Sequence, residues 1–219
     1  MVRNTVGRAQ ETYQQLTSIF GQDVSLLHSR FLASDRKTKE RRIVEALGAP
    51  HEDGSRGDRP QRLVVVGTQV VEQSLDVDFD LLITDLAPID LLLQRVGRIH
   101  RHDRPADHRP PRVRSPRTVV VGVEDWSAEP PQLPRGSKKV YGQHLLLRTA
   151  AQVERIARGA GVITLPDDIA PLVHEAYGQA TLGPDSWQQS MEHARLRDEG
   201  ERQTASARAE AFRLGRVSK

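Results

Sequence analysis

The sequence contains no cysteine in 219 residues. That excludes disulfides, a thiolate metal site and a thiol nucleophile, and it predicts a cytoplasmic setting. Aromatic residues amount to only 4%. This is too few for the base-stacking platforms of sequence-tolerant single-strand binders, so a grip on nucleic acid has to fall mainly on the backbone. No apolar run reaches the roughly 18 residues of a membrane span, and Met1-Val2-Arg3-Asn4-Thr5 lacks the apolar core of a signal peptide. Neither a G-x-x-x-x-G-K-[ST] phosphate loop nor an Asp-Glu-x-His/Asp box for magnesium occurs. Repeats and low-complexity tracts are also missing.

What is present is charge, unevenly placed. The formal balance is only +3, yet arginine recurs every few residues from Arg95 to Arg117, with only Asp103 and Asp107 opposing it along that stretch. The segment reads either as a basic surface facing phosphates or, after His102, as a solvated arginine-rich loop. His100, His102, Asp103 and His108 crowd the same loop, but a metal site needs ligands on fixed elements, so none is assigned.

Short apolar runs alternate with amphipathic patterns, the signature of a parallel α/β sheet. Strands are predicted at Val24–Leu27, Leu63–Val66, Phe79–Ile83 and Val119–Val123, and helices at Val6–Phe20, Arg36–Leu47 and Ile89 to about Arg101. Gly48–Pro60 reads as a surface loop. Only Met1–Asn4 is available as the strand preceding the first helix, which reads as a sheet lacking part of that strand. From Trp126 a proline-bearing segment reads as a linker. Helices follow at Leu145–Ala157, from Pro166-Asp167-Asp168-Ile169, and from about Ser186 onward. The last is polar, so it either lies on a partner domain or frays.

The most informative stretch is Gln94-Arg95-Val96-Gly97-Arg98-Ile99-His100-Arg101-His102, together with Thr68-Gln69-Val70-Val71-Glu72-Gln73-Ser74-Leu75-Asp76. On a continuous helix Gln94, Arg98 and Arg101 share one face, opposite the apolar stripe Ile89, Leu92, Leu93 and Val96. Guanidiniums suit the planar oxygens of phosphate. A glycine inside that helix costs roughly 1 kcal/mol relative to alanine, which predicts a close backbone approach at Gly97. Open α/β sheets bind ligands at the carboxyl ends of their strands. Thr68 and Gln69 follow a strand and are expected on that rim, while Asp76 has the chemistry to accept from a ribose hydroxyl.

These segments, with Ala87-Pro88-Ile89-Asp90, resemble motifs V and VI of a superfamily 2 helicase. More narrowly, they resemble the CRISPR-associated helicase–nuclease of type I systems. Asn4-Thr5-Val6 with Ala9-Gln10 resembles the start of that family's second RecA-like domain, and His28-Ser29-Arg30-Phe31 with Asp35-Arg36 resembles its motif IV region. Thr164-Leu165-Pro166-Asp167-Asp168 with Tyr177-Gly178 resembles its helical extension. The resemblance implies a RecA-like parallel sheet flanked by helices over residues 1–125, a linker over 126–137 and a helical extension over 138–219. It implies that Gln94, Arg98 and Arg101 face ATP, with both arginines as arginine fingers, and that Asp76 approaches the sugar. It implies that Thr68, Gln69, Ser29 and Arg30 contact the backbone of single-stranded DNA. The missing phosphate loop, the magnesium ligands and the histidine–aspartate nuclease domain are then expected on a first RecA-like portion outside this sequence. The implied function is ATP-driven translocation on DNA marked by a guide-RNA surveillance complex. Three alternatives stay open: a non-catalytic nucleic-acid-binding module, an inert remnant of a split gene, and half of an RNA helicase.

Overall fold

The computed structural model describes residues 1–49, 59–73 and 75–211. Ser74, most of the loop expected at Gly48–Pro60, and residues 212–219, where the last helix is expected to continue, lie outside the described residues.

Four parallel strands are seen: β1 (Val24–Leu27), β2 (Val64–Gly67), β3 (Leu81–Asp85) and β4 (Arg117–Val121). Between β2 and β3 sits the chain around Val2, paired in parallel with Gly67 on one side and Thr84 on the other. Val2 N donates to the Ile83 carbonyl at 2.8 Å and Arg3 N to the Gly67 carbonyl at 2.8 Å, while Gly67 N and Asp85 N donate back to Met1 and Val2. The short segment read as a defective first strand therefore fills the centre of the sheet, giving the order β1, β2, residue 2, β3, β4.

The strands carry near-continuous Val, Leu and Ile because both faces are covered. On one face α1 (Val6–Phe20) lays Ala9, Tyr13 and Leu16 over Val24, Leu26 and Val66. On the other, Ile43 and Leu47 of α2 (Ala33–Leu47) pack with Leu27, Val65 and Val77. Leu26 and Leu27 are adjacent in sequence and point to opposite faces, as the two-residue period of a strand requires. Helix α1 starts where expected, with the Thr5 side chain accepting from Arg8 N at its N-cap. Strands β2 to β4 are offset by one or two residues from the apolar runs, because their limits follow ladder hydrogen bonds to neighbours and not hydropathy.

After β2 comes one turn, α3 (Val70–Gln73), and after β3 comes α4 (Ile89–Val96). Helix α4 buries Ile89, Leu92 and Leu93, the stripe read from sequence. It stops at Val96, however, and does not run to Arg101. Gly97 is its C-cap, and Ile99 beyond it bridges Phe79 in parallel. An alanine Cβ at Gly97 would come no nearer than 3.4 Å, to the Leu93 carbonyl, and its φ of −64° suits any residue, so no close neighbour is admitted here.

The segment 126–137 is not a free linker. Asp125 and Gln132 form an antiparallel bridge, Leu133 is buried, and a helix unforeseen in the sequence, α5 (Arg135–Tyr141), begins inside it. Helix α6 (Gln143–Arg158), α7 (Ile169–Tyr177) and α8 (Asp185–Ala211) complete the described chain. Leu133, Leu146, Leu147, Ala150, Trp187, Met191 and Ala194 share one core cluster with Leu86, Ala87 and Leu92. The helical extension is thus packed directly on the α/β layer. In α8, Trp187, Met191 and Ala194 recur at i, i+4 and i+7 and are buried, while residues 201–210 are exposed throughout. Among the described residues no helix is long and apolar enough to cross a membrane.

Candidate functional site

The expected site residues separate into two groups at opposite ends of the sheet. At the carboxyl ends, Ser29 and Arg30 follow β1 and are exposed. Beneath them His28 is buried and stacked on Phe31 at 4.2 Å, and its Nδ1 accepts from Arg30 N at 3.3 Å. Burial, with the charges of Arg30 and Lys39, pulls the His28 pKa below its ordinary value, so the ring is held as a neutral acceptor. Thr68 and Gln69 occupy the rim after β2, as read from the sequence. Thr68, however, is only 2% exposed, and its backbone is bonded to Leu27 and Val71. The Gln69 amide turns inward and donates to the Tyr141 hydroxyl at 2.8 Å. Ser29 and Arg30 are therefore the members of this group that face solvent.

At the other end, α4 has run back along β3 and delivers Arg98, Arg101 and His102 beside Asp76. Gln94 lies exposed on the last turn of α4. Because the helix ends at Val96, Arg98 and Arg101 are placed by the turn after it and not by a helical face. Arg98 Nη2 donates to the Glu72 carbonyl at 2.8 Å, while its Nε is buried without a partner. Arg101 Nε donates to Asp76 Oδ1 at 2.5 Å, with the two side chains 41% and 57% exposed. His102 Nε2 is 3.4 Å from the same oxygen. Burial, then the neighbouring Arg101 charge, lowers the Arg98 pKa against the pull of Asp76. Asp76, read as a ribose contact, is here the counter-ion of Arg101.

Arginine density along the sequence is misleading about exposure. Arg95, between two expected site residues, is 1% exposed. Its Nε donates to Glu72 Oε1 at 2.7 Å, and its Nη1 to Thr84 Oγ1 at 2.6 Å and to the Asp85 carbonyl at 3.0 Å. Arg109 is also buried, bonded to Asp78 at 2.9 Å and Asp80 at 2.7 Å. Arg59 and Arg104 join the same Asp80. Burial alone would raise the Asp80 pKa, but these guanidiniums outweigh it and hold the carboxyl below its usual range. The supposed basic surface is thus partly an internal ion-pair network, formed because Glu72, Asp78 and Asp80, distant in sequence, fold beneath the loop. Tyr141, Glu72 and Arg95 were not singled out from the sequence. A buried arginine leaves no local pattern that distinguishes it from a solvated one.

The arrangement suits oxygen-rich anions at the amino-end edge. Arg101 is accessible and Arg98 is half-buried beside it, so the pair presents guanidinium charge to phosphate oxygens.

Residues 1–104 match the family model described as CRISPR-associated nuclease/helicase Cas3, C-terminal. The CRISPR-associated nuclease/helicase Cas3 of Streptococcus thermophilus is 41% identical over 181 residues, which is 81% of this chain and 17% of the relative. Among solved structures, T. fusca Cas3 with ADP is 36% identical with a TM-score of 0.77, covering 98% of this chain and 23% of that one. A CRISPR RNA-guided surveillance complex in a pre-nicking state contains a chain 36% identical with a TM-score of 0.74, over 98% of this chain and 24% of that one. This chain thus spans about a fifth of the length of the proteins it resembles. These matches, over a sheet and helices with the same RecA-like architecture, place the chain in the Cas3 family, in its C-terminal region.

Proposed function

We propose that this chain is the second motor domain of an ATP-driven DNA translocase of CRISPR defence. In this reading Arg98 and Arg101 reach the phosphates of a nucleotide held mainly by another RecA-like domain, with Gln94 beside them. That domain carries the phosphate loop, the magnesium ligands and the nuclease portion. The bound nucleotide with its magnesium supplies the phosphoryl group whose developing charge the arginines neutralise. Asp76 holds Arg101 at the edge until phosphate oxygens replace it, and is then free to accept from a sugar hydroxyl. Ser29 and Arg30 line the path of single-stranded DNA, with Gln69 on the rim beside them, and the grip is on phosphates. One solved relative is T. fusca Cas3 with ADP and another belongs to a CRISPR RNA-guided surveillance complex, which supports nucleotide and that complex as partners of the whole protein.

The observation that carries the reading is the exposed Arg101 beside a half-buried Arg98 at one edge of the sheet, next to an Arg95 whose nitrogens are all engaged inside the fold. The test is a motor reconstituted with a RecA-like domain bearing a phosphate loop. Arg98→Ala and Arg101→Ala should each lower ATP turnover by about 10³-fold, the scale of other arginine fingers, with single-stranded DNA affinity retained. Near-normal turnover in both variants would refute the assignment.

A further inference from the structure

One chain of hydrogen bonds joins the two ends of the sheet. Gln69, on the carboxyl-end rim, donates to the Tyr141 hydroxyl at 2.8 Å. Arg95 Nη2 reaches the same hydroxyl at 3.3 Å. Arg95 in turn holds Glu72 through Nε and Nη2, each 2.7 Å from Oε1, and the Glu72 carbonyl holds Arg98 at 2.8 Å. Every link but one lies in the α/β layer. The exception is Tyr141, the last residue of α5, contributed by the helical extension.

The network is not saturated. Glu72 Oε2 is a buried acceptor with no partner, and Arg98 Nε is a buried donor with no partner. Buried orphans are costly, and here they are complementary and sit on two residues already bonded to each other. A second pattern, in which Arg98 Nε turns to the Glu72 carboxylate, is therefore open to the same side chains. Arg95 is anchored to Thr84 Oγ1 and the Asp85 carbonyl as well, and Tyr141 is the group that connects it to Gln69.

We infer that Tyr141 is a positioning residue that couples occupancy of the single-strand rim at Gln69 to the placement of Arg98. This inference rests on the proposed motor reading. DNA drawing Gln69 away from the hydroxyl frees Tyr141 and Arg95 to re-pair, and Glu72 then shifts Arg98. The tyrosine ring packs against the shared core, so Tyr141→Phe removes the hydroxyl and keeps that packing.

The experiment measures ATP turnover of the full motor with and without saturating single-stranded DNA. In Tyr141→Phe the stimulation ratio should fall about fivefold or more, the scale of an ordinary coupling free energy, with the DNA concentration for half-stimulation unmoved. A purely structural hydroxyl would lower both rates together and leave the ratio intact. Gln69→Leu removes the other end of the link and should lower the ratio as well. The double variant should be no worse than the more severe single one, because both cut the same path. A Tyr141→Phe ratio equal to wild type, in a motor where Arg98→Ala still abolishes turnover, overturns the coupling and leaves the motor reading standing. Failure of Arg98→Ala to reduce turnover overturns both.

Discussion

Arg95 and Arg101 stand six positions apart in one motif, and the structure gives their removal opposite consequences. Arg95→Ala strands the Glu72 carboxylate in a site where both side chains are 1% exposed. It also removes donors from Thr84 Oγ1 and the Asp85 carbonyl. Breaking a buried pair by deleting one partner costs about 3–5 kcal/mol. For a chain of this size each kcal/mol moves the melting temperature by roughly 2–4 °C, so the expected drop is roughly 6–20 °C. Arg101→Ala breaks an ion pair open to water on both sides, worth about 0–1 kcal/mol, and should shift the melting temperature by only a few degrees. Thermal melts followed by circular dichroism measure both. The pH dependence checks the cause. Burial already raises the Glu72 pKa, and Arg95 is what opposes the rise. Without Arg95 the folded-state pKa climbs further above the unfolded value of about 4.3. The folded variant then binds a proton more readily than the unfolded chain, and stability lost at pH 8 returns as the pH falls towards 5. The gap between wild type and Arg95→Ala should narrow over that range. Equal melting temperatures for the two variants, or a gap that widens on acidification, would refute the buried-pair argument.

Burial holds the pKa values of His28, His100 and His144 below their ordinary value, so each folded ring resists protonation. Their contribution to stability should be full above about pH 6.5 and decline as the pH falls through it, and the buried Met1 amine, lowered to about 5, adds a loss in the same direction; Glu72 works the other way, and a melting temperature that rises from pH 7.5 to 5.5 would contradict this. Gly122 has φ +77° and an added Cβ would lie 2.4 Å from Asp85 Oδ1, so Gly122→Ala should lose about 2 kcal/mol or more in denaturant unfolding. Single-stranded DNA binding by this chain should be weak and salt-dependent. Arg30→Ala should reduce the log–log salt slope by about 1, and Thr68→Val should leave it unchanged because that side chain is buried; a reversed pattern would move the DNA path. The chain alone should show no ATP hydrolysis, since arginines without a phosphate loop have no bound phosphate to act on, and activity lost in Arg98→Ala would overturn that expectation.

Periodicity and composition by themselves determined much of this protein. The alternation of apolar runs with amphipathic segments required a parallel α/β sheet. The Val24–Leu27 strand, the Val6–Phe20 helix and the buried stripe of α4 are local consequences of side-chain spacing and could be read directly. The residues at 68–80 and 94–102 were enough to point to the family. Tertiary structure alone decided how those residues are used. Sequence spacing put Gln94, Arg98 and Arg101 on one helical face, but pairing of Ile99 with Phe79 ends the helix at Val96 and places the arginines by a turn. Sequence charge counted Arg95 and Arg109 as surface, but Glu72, Asp78 and Asp80 lie next to them only after folding. The Met1–Asn4 segment reads as part of a first strand, and only the fold shows it bonded on both sides in the centre of the sheet. Tyr141 carried no signal, because its significance lies in two partners 72 and 46 residues away. Local spacing fixes an element and its buried face. Which charges pair, and which remain available for a ligand, is set by long-range neighbours that no sequence window contains.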